Sequence, residues 1–154
     1  MYHLNNLTAP LRLYRELKVH GKLLVAVDFD STIYDYHEEG VDYSHTVELV
    51  KRAISLGHEV YIFTANVDHD LVRQYCVEVG LGELQINTNS LEHLFPSRKP
   101  FYNILLDDRA GLAMTIEHLT SILDAQEKKG LLYSIAENAR SIRDETYYKN
   151  QQVI

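Results

Sequence analysis

The run Leu23-Leu24-Val25-Ala26-Val27 is unbroken in its apolarity and stops at Asp28. It is too short for a buried helix and shows no alternation. It therefore predicts a strand, Lys22 to Val27, covered on both faces. Strands of that kind belong to parallel sheets with helices on each side. The polar stretch directly after it, Asp28-Phe29-Asp30-Ser31-Thr32, carries carboxylates at i and i+2 and a hydroxyl at i+4. Acids brought that close repel each other unless a positive charge lies between them. A hard divalent cation is one answer; a shared proton, or two acids splayed into solvent, are others.

The rest of the chain repeats the strand-then-helix pattern. Leu11 to Val19 reads as a short helix with Thr8 as a cap, Pro10 near its start and Gly21 at its end. Ser44 to Leu56 has apolar residues at helical spacing, with Gly57 as a stop. His58 to Phe63 is a second strand, Asp68 to Val79 a helix ended by Gly80, and Leu84 to Ile86 a short third strand. Ser90 to Phe95 reads as one helical turn and Phe101 to Leu106 as a fourth strand. Gly111 to Leu123 and Leu131 to Tyr147 read as helices separated by the polar Gln126-Glu127-Lys128-Lys129-Gly130. The expected fold is one α/β domain over residues 1–154: a Rossmann-like three-layer α/β/α sandwich with a mainly parallel sheet. In such sheets ligands bind beyond the carboxyl ends of the strands.

Composition narrows the choice of function. The net charge is −7, and no basic run offers a nucleic-acid surface. One cysteine, Cys76, leaves no intramolecular disulfide, and its helical context makes it a core residue. No apolar stretch reaches membrane-span length, and residues Met1 to His20 show no leader pattern. The cytoplasm is the expected compartment.

The polar residues that carry chemistry fall at the strand ends. They are Asp28, Asp30 and Thr32 after the first strand, Thr64-Ala65-Asn66 after the second, and Asp107-Asp108-Arg109 after the fourth, with Arg98-Lys99 just before it. Carboxylates, hydroxyls and a base in one cleft suit magnesium plus a phosphate. Thr64 also suits a helix cap, Asn66 a cap or a substrate contact, and Arg109 a surface ion pair. The segment Asp35, Glu38, Glu39 and Asp42 reads as a solvated acidic loop; its Tyr34, Tyr36, His37 and Tyr43 offer aromatic surface beside the cleft. His45, His58, His69, His93 and His118 show no metal-ligand spacing and read as surface or helix-end residues.

From Leu23 to Arg109 the order of these motifs resembles the haloacid dehalogenase-like hydrolase superfamily. The matching pieces are Val27-Asp28-Phe29-Asp30-Ser31-Thr32, Ile62-Phe63-Thr64, Lys99, and Leu105-Leu106-Asp107-Asp108. Gln85 to Asn89 and the Asp107-Asp108-Arg109 ending are similar to small capless members. Ser31 stands where many members carry glycine. The resemblance implies a magnesium-dependent phosphomonoesterase. Asp28 would be the nucleophile that forms an aspartyl-phosphate. Asp30 would be the acid and base, its side chain turned from the metal and its carbonyl a ligand. Thr64, Lys99 and Thr32 would serve the phosphoryl group. Asp28, Asp30, Asp108 and Asp107 would form the metal set. The intervals Asp28 to Thr64 and Thr64 to Lys99 are too short for a separate folded cap. The expected substrate is a nucleotide or small phosphorylated metabolite, with a second subunit one way of closing an open cleft. A phosphoprotein or nucleic-acid end, or a non-catalytic phosphate- or metal-binding module, are the other readings; a dehalogenase needs neither Asp30 as acid/base nor the acidic pair.

Overall fold

A computed structural model of the 154-residue chain describes residues 8–92, 94 and 98–130. The chain divides into two compact units, Met1–Leu123 and Asp124–Ile154. The first unit contains helix α1 (Thr8–His20), strand β1 (Leu24–Val27), helix α2 (Ser44–Ser55), strand β2 (Glu59–Ile62), helix α3 (His69–Glu78), strand β3 (Gln85–Ile86) and strand β4 (Ile104–Leu106). A further helix, α4, covers 112–130 of the described residues. The strands form one sheet in the order β3-β2-β1-β4, and every pairing is parallel. With its flanking helices this is a three-layer α/β/α sandwich, and the described residues include no separate cap domain.

All four residues of β1 are buried, as a strand covered on both faces requires. Val25 and Val27 join Ile62, Leu106, Val50, Val72 and Leu119 in the core. Burying each such side chain contributes roughly 1.5–3 kcal/mol. Cys76 belongs to the same core; burial pushes its thiol up to about 11, as befits a packing residue.

The strands are shorter than their apolar runs because side chains take over the ladder at the amino ends. Leu23 donates its backbone N–H to His58 Nδ1 at 3.0 Å, and Leu24 donates to Asn103 Oδ1 at 2.7 Å. His58 is thus buried and structural rather than a surface residue. Asn103 also donates from Nδ2 to Glu16 Oε2, and Arg12 donates to its carbonyl, which ties α1 to the start of β4. Phe101 lies before β4 with an exposed ring, and its carbonyl accepts from the Tyr61 hydroxyl and Asn89 Nδ2.

Two sequence expectations shift. Ser90 to Phe95 forms turns rather than a helix where it is described, with Glu92 donating to the Asn89 carbonyl and Leu94 to that of Leu91. The polar stretch Gln126 to Gly130 is helical: Gln, Glu and Lys are strong helix formers, and polarity alone does not end a helix. The helix expected over Leu131 to Tyr147 lies outside the described residues. Among the described residues, no helix is long and apolar enough to cross a membrane.

Asn103→Ala leaves the Leu24 N–H without its partner in a buried setting, so the expected cost is about 1–3 kcal/mol. A lowered urea midpoint with an unchanged m-value is the expected readout; an unchanged midpoint would show that the ladder end does not need this side chain.

Candidate active site

The parallel pairing continues one residue past the strands. Asp28 donates its backbone N–H to the Leu106 carbonyl at 2.8 Å, Phe63 donates to that of Val27 at 2.8 Å, and Asn87 to that of Ile62 at 2.7 Å. The chains after β1, β2 and β4 therefore leave the sheet side by side. A cleft of about 650 Å³ opens at that edge, floored by Asp28, Asp30, Thr64, Asn66, Asp107 and Asp108.

Asp28, Asp107 and Asp108 each offer a carboxylate oxygen within 4.8 Å of the others. Asp28 and Asp107 are half-buried and Asp108 is exposed. Burial pushes the Asp28 carboxyl up to about 6; the Phe29 backbone N–H opposes the rise, while the negative charges of Asp107, Asp108 and Asp30 add to it. Three such oxygens, hard, anionic and open to water on one side, match the donors a magnesium-sized cation takes while keeping part of its hydration. The cluster is thus of a kind that supports a catalytic, metal-binding or phosphate-binding role.

Asp30 stands apart from that cluster. Asn66 Nδ2 donates to both of its carboxylate oxygens, at 3.0 and 3.3 Å. Asn66 is in turn held by its neighbours. Its backbone N–H donates to Thr64 Oγ1 at 3.0 Å, and its Oδ1 accepts from the Asp68 N–H at 2.9 Å. Asp68 itself caps α3 by accepting from Leu71. Thr64 is buried up to the cleft wall, and its peptide is bracketed by the Asn87 side chain, which accepts from the Thr64 N–H and donates to its carbonyl.

Thr32 does not line the cleft. It is fully buried, and its Oγ1 accepts from the Asp108 backbone N–H at 3.1 Å. Its place is to tie the loop after β1 to the acidic pair after β4. Lys99 is exposed and also lies off the cleft lining, with its ammonium 5.5 Å from the centre of the Tyr102 ring. Arg98 lines a separate small cavity beside Asn87 and Phe101. Among the described residues that line the cleft, Arg109 is the one Lys or Arg, and its backbone N–H donates to Asp107 Oδ1 at 2.8 Å.

Ser31 has φ 57°, in the left-handed region. A serine pays there a steric cost that glycine avoids. The turn is held by the Ser31 N–H donating to the Tyr34 carbonyl at 2.8 Å, and by three N–H groups, of Thr32, Ile33 and Tyr34, converging on the Phe29 carbonyl.

Sequence reasoning gave too little weight to three residues. Tyr36, His37 and Arg109 all line the cleft. Their signal was position: Arg109 directly follows the acidic pair, and the two rings lie a few residues beyond Asp30. The acidic loop is also less passive than its composition suggests. Asp35 accepts from the backbone N–H groups of Glu39, Gly40 and Val41, at 3.1, 2.7 and 3.3 Å, while Glu38, Glu39 and Asp42 are solvent-exposed.

Fold and site together describe an α/β protein with a clustered acidic site at the carboxyl edge of its sheet, an arrangement consistent with a Rossmannoid hydrolase-like fold. Comparison with protein-family models, with curated proteins and with solved structures gives no match in any of the three.

The raised Asp28 carboxyl has a consequence for stability without metal. Its folded pKa of about 6 lies above the ordinary 3.8, so between those values the folded state binds the extra proton. The cost of holding Asp28 ionised is absent below pH 4 and fully present above pH 6. In EDTA at pH 7, Asp28→Asn is expected to melt higher than the wild type, with the gap closing as the pH falls toward 4. A gap that widens on acidification would contradict the electrostatics assigned to this cluster.

Proposed function

We propose that this chain is a haloacid dehalogenase-like phosphatase, hydrolysing phosphate monoesters with magnesium through an aspartyl-phosphate on Asp28. The observation that carries the reading is the separation of the acids. Asp28, Asp107 and Asp108 converge within 4.8 Å, whereas Asp30, two residues from Asp28, is held off that group by Asn66. Two acids so close in sequence and so different in setting suit two different roles.

In this reading Asp28, Asp107 and Asp108, with the backbone carbonyl of Asp30, would hold the cation. Bound there, magnesium would neutralise the carboxylates and the approaching phosphoryl oxygens. An Asp28 carboxylate oxygen attacks phosphorus as the bond to the leaving oxygen breaks, and Asp30 in its acid form gives that oxygen its proton. Asp30, now a carboxylate, takes a proton from water. The water oxygen attacks phosphorus, the bond to Asp28 breaks, and inorganic phosphate leaves. Asn66 keeps Asp30 aimed at the leaving group. The Thr64 hydroxyl and the Arg109 guanidinium meet phosphoryl charge within the cleft. Lys99 would reach the same charge only by leaving Tyr102, a motion its flexible stem allows. An open cleft, with no separate cap among the described residues, admits a macromolecular phosphate, or a nucleotide or small phosphorylated metabolite where a second subunit closes it.

The test is hydrolysis of a generic aryl phosphate with magnesium and with EDTA. Wild type should turn over only with the metal, and Asp28→Asn should fall to background. Asp30→Asn should lose about 10²–10⁴-fold in kcat with little change in magnesium affinity. Asn66→Ala, which frees Asp30 from its fixed geometry, should lose about 10–100-fold in kcat. If wild type and Asp28→Asn are equally inactive across a broad panel of phosphate esters, the enzymatic reading fails; if Asp30→Asn abolishes magnesium binding, the division of labour between the acids fails.

A further inference from the structure

The cleft has a second chemical character. Beside its acidic residues it is lined by Tyr36, His37, Phe63 and Val67. Tyr36 is 55% exposed and Val67 94% exposed. Both therefore present apolar surface to solvent directly beside the most polar part of the protein. Burial of such surface by a ligand is favourable.

Tyr36 is also held in place before any ligand arrives. The root of its loop is an aromatic trio. Tyr34 stacks on Phe29 with ring centres 4.8 Å apart and planes at 17°, and Tyr75 of α3 packs edge-on against both rings. The Tyr75 hydroxyl donates to the Ile33 carbonyl at 2.6 Å. Beyond Tyr36, the Asp35 carboxylate gathers the N–H groups of Glu39, Gly40 and Val41. Glu38 accepts φ 53° to close the turn. Tyr36 and His37 lie ring edge to ring face, 5.1 Å apart at 82°, so each restricts the other. An exposed aromatic pair on a loop braced at both ends is a preorganised surface, and binding to it loses little entropy.

From this arrangement we infer that Tyr36, with His37 and Val67, forms a leaving-group subsite for a planar ring. The substrate class of the proposed phosphatase is then the nucleoside monophosphates: phosphate toward Asp28, base against the Tyr36 ring. The inference rests on the phosphatase reading for the orientation of the ligand, but not for the contact itself. A base stacked on an aromatic side chain gains enough to matter, roughly five- to a hundredfold in affinity. Purine and pyrimidine faces both suit it, so discrimination among bases is expected to be weak.

The experiment compares a nucleoside 5′-monophosphate with ribose 5-phosphate, which has the same phosphate and sugar without the base. Wild type, Tyr36→Ala and Tyr36→Phe are each measured for kcat/KM with magnesium, and for equilibrium binding of both compounds by calorimetry. Wild type should favour the nucleotide about tenfold or more. Tyr36→Ala should bring that ratio close to one by weakening the nucleotide alone, and Tyr36→Phe should keep it. Circular dichroism and thermal melting confirm that the variants fold. A wild-type ratio near one, or a ratio that Tyr36→Ala leaves intact, overturns the subsite. The binding arm separates this failure from that of the phosphatase reading: nucleotide binding that depends on Tyr36 without turnover leaves the subsite standing and removes the chemistry.

Discussion

The site depends on one backbone hydrogen bond, from the Asp28 N–H to the Leu106 carbonyl. It extends the parallel pairing of β1 and β4 by one residue beyond the last buried side chains, where the sequence turns from Val27 to Asp28 on one strand and from Leu106 to Asp107 on the other. Because the register is set by the apolar residues behind it, the acids cannot slip apart without moving the core. Hydrophobic packing brings the like charges together and half-buries Asp28; burial is the main reason its carboxyl is raised, and the charges of Asp107, Asp108 and Asp30 add to it. Thr32 reinforces the arrangement from beneath by accepting the Asp108 N–H.

A second layer of polar contacts makes the acids unequal. Asn66 holds Asp30, Thr64 holds Asn66, and Asn87 holds the Thr64 peptide. The first and last links join segments that leave neighbouring strands, and the middle one is local to the turn after β2, so the chain of contacts runs across the sheet edge from β1 through β2 to β3. Asn87 has φ 56° and supplies with its side chain the bonds that a longer β3 would have made with its backbone. The shortness of β3 and the orientation of Asp30 are in this sense connected.

The strands and the acidic positions were legible because they obey local rules: an unbroken apolar run is a doubly covered strand, and the polar residues at its carboxyl end lie at the sheet edge. The convergence of Asp28 with Asp107 and Asp108 needed only the further step that β1 and β4 are neighbours. Other features depend on packing that no local pattern reports. Whether Thr32 faces the cleft or the core is decided by the turn at Ser31. The direction of Lys99 depends on side-chain packing, which places its ammonium over the Tyr102 ring. His58 and Asn103 look like ordinary polar residues in sequence; their structural duty appears only when the amino end of β1 is seen beside those of β2 and β4. Asp35 reads as one more charge in an acidic loop, yet it organises that loop by collecting three backbone donors.

The central claim is that packing-enforced crowding of Asp28, Asp107 and Asp108 exists to hold a divalent cation, with Asp30 kept aside. A crystal of the protein equilibrated with manganese, a magnesium substitute visible by anomalous scattering, tests this directly. The account predicts one strong anomalous peak in contact with Asp28 and the acidic pair, with the Asp30 carboxylate still on Asn66. No peak at the cluster under saturating manganese, or a peak ligated by the Asp30 carboxylate in place of Asp28, would contradict it.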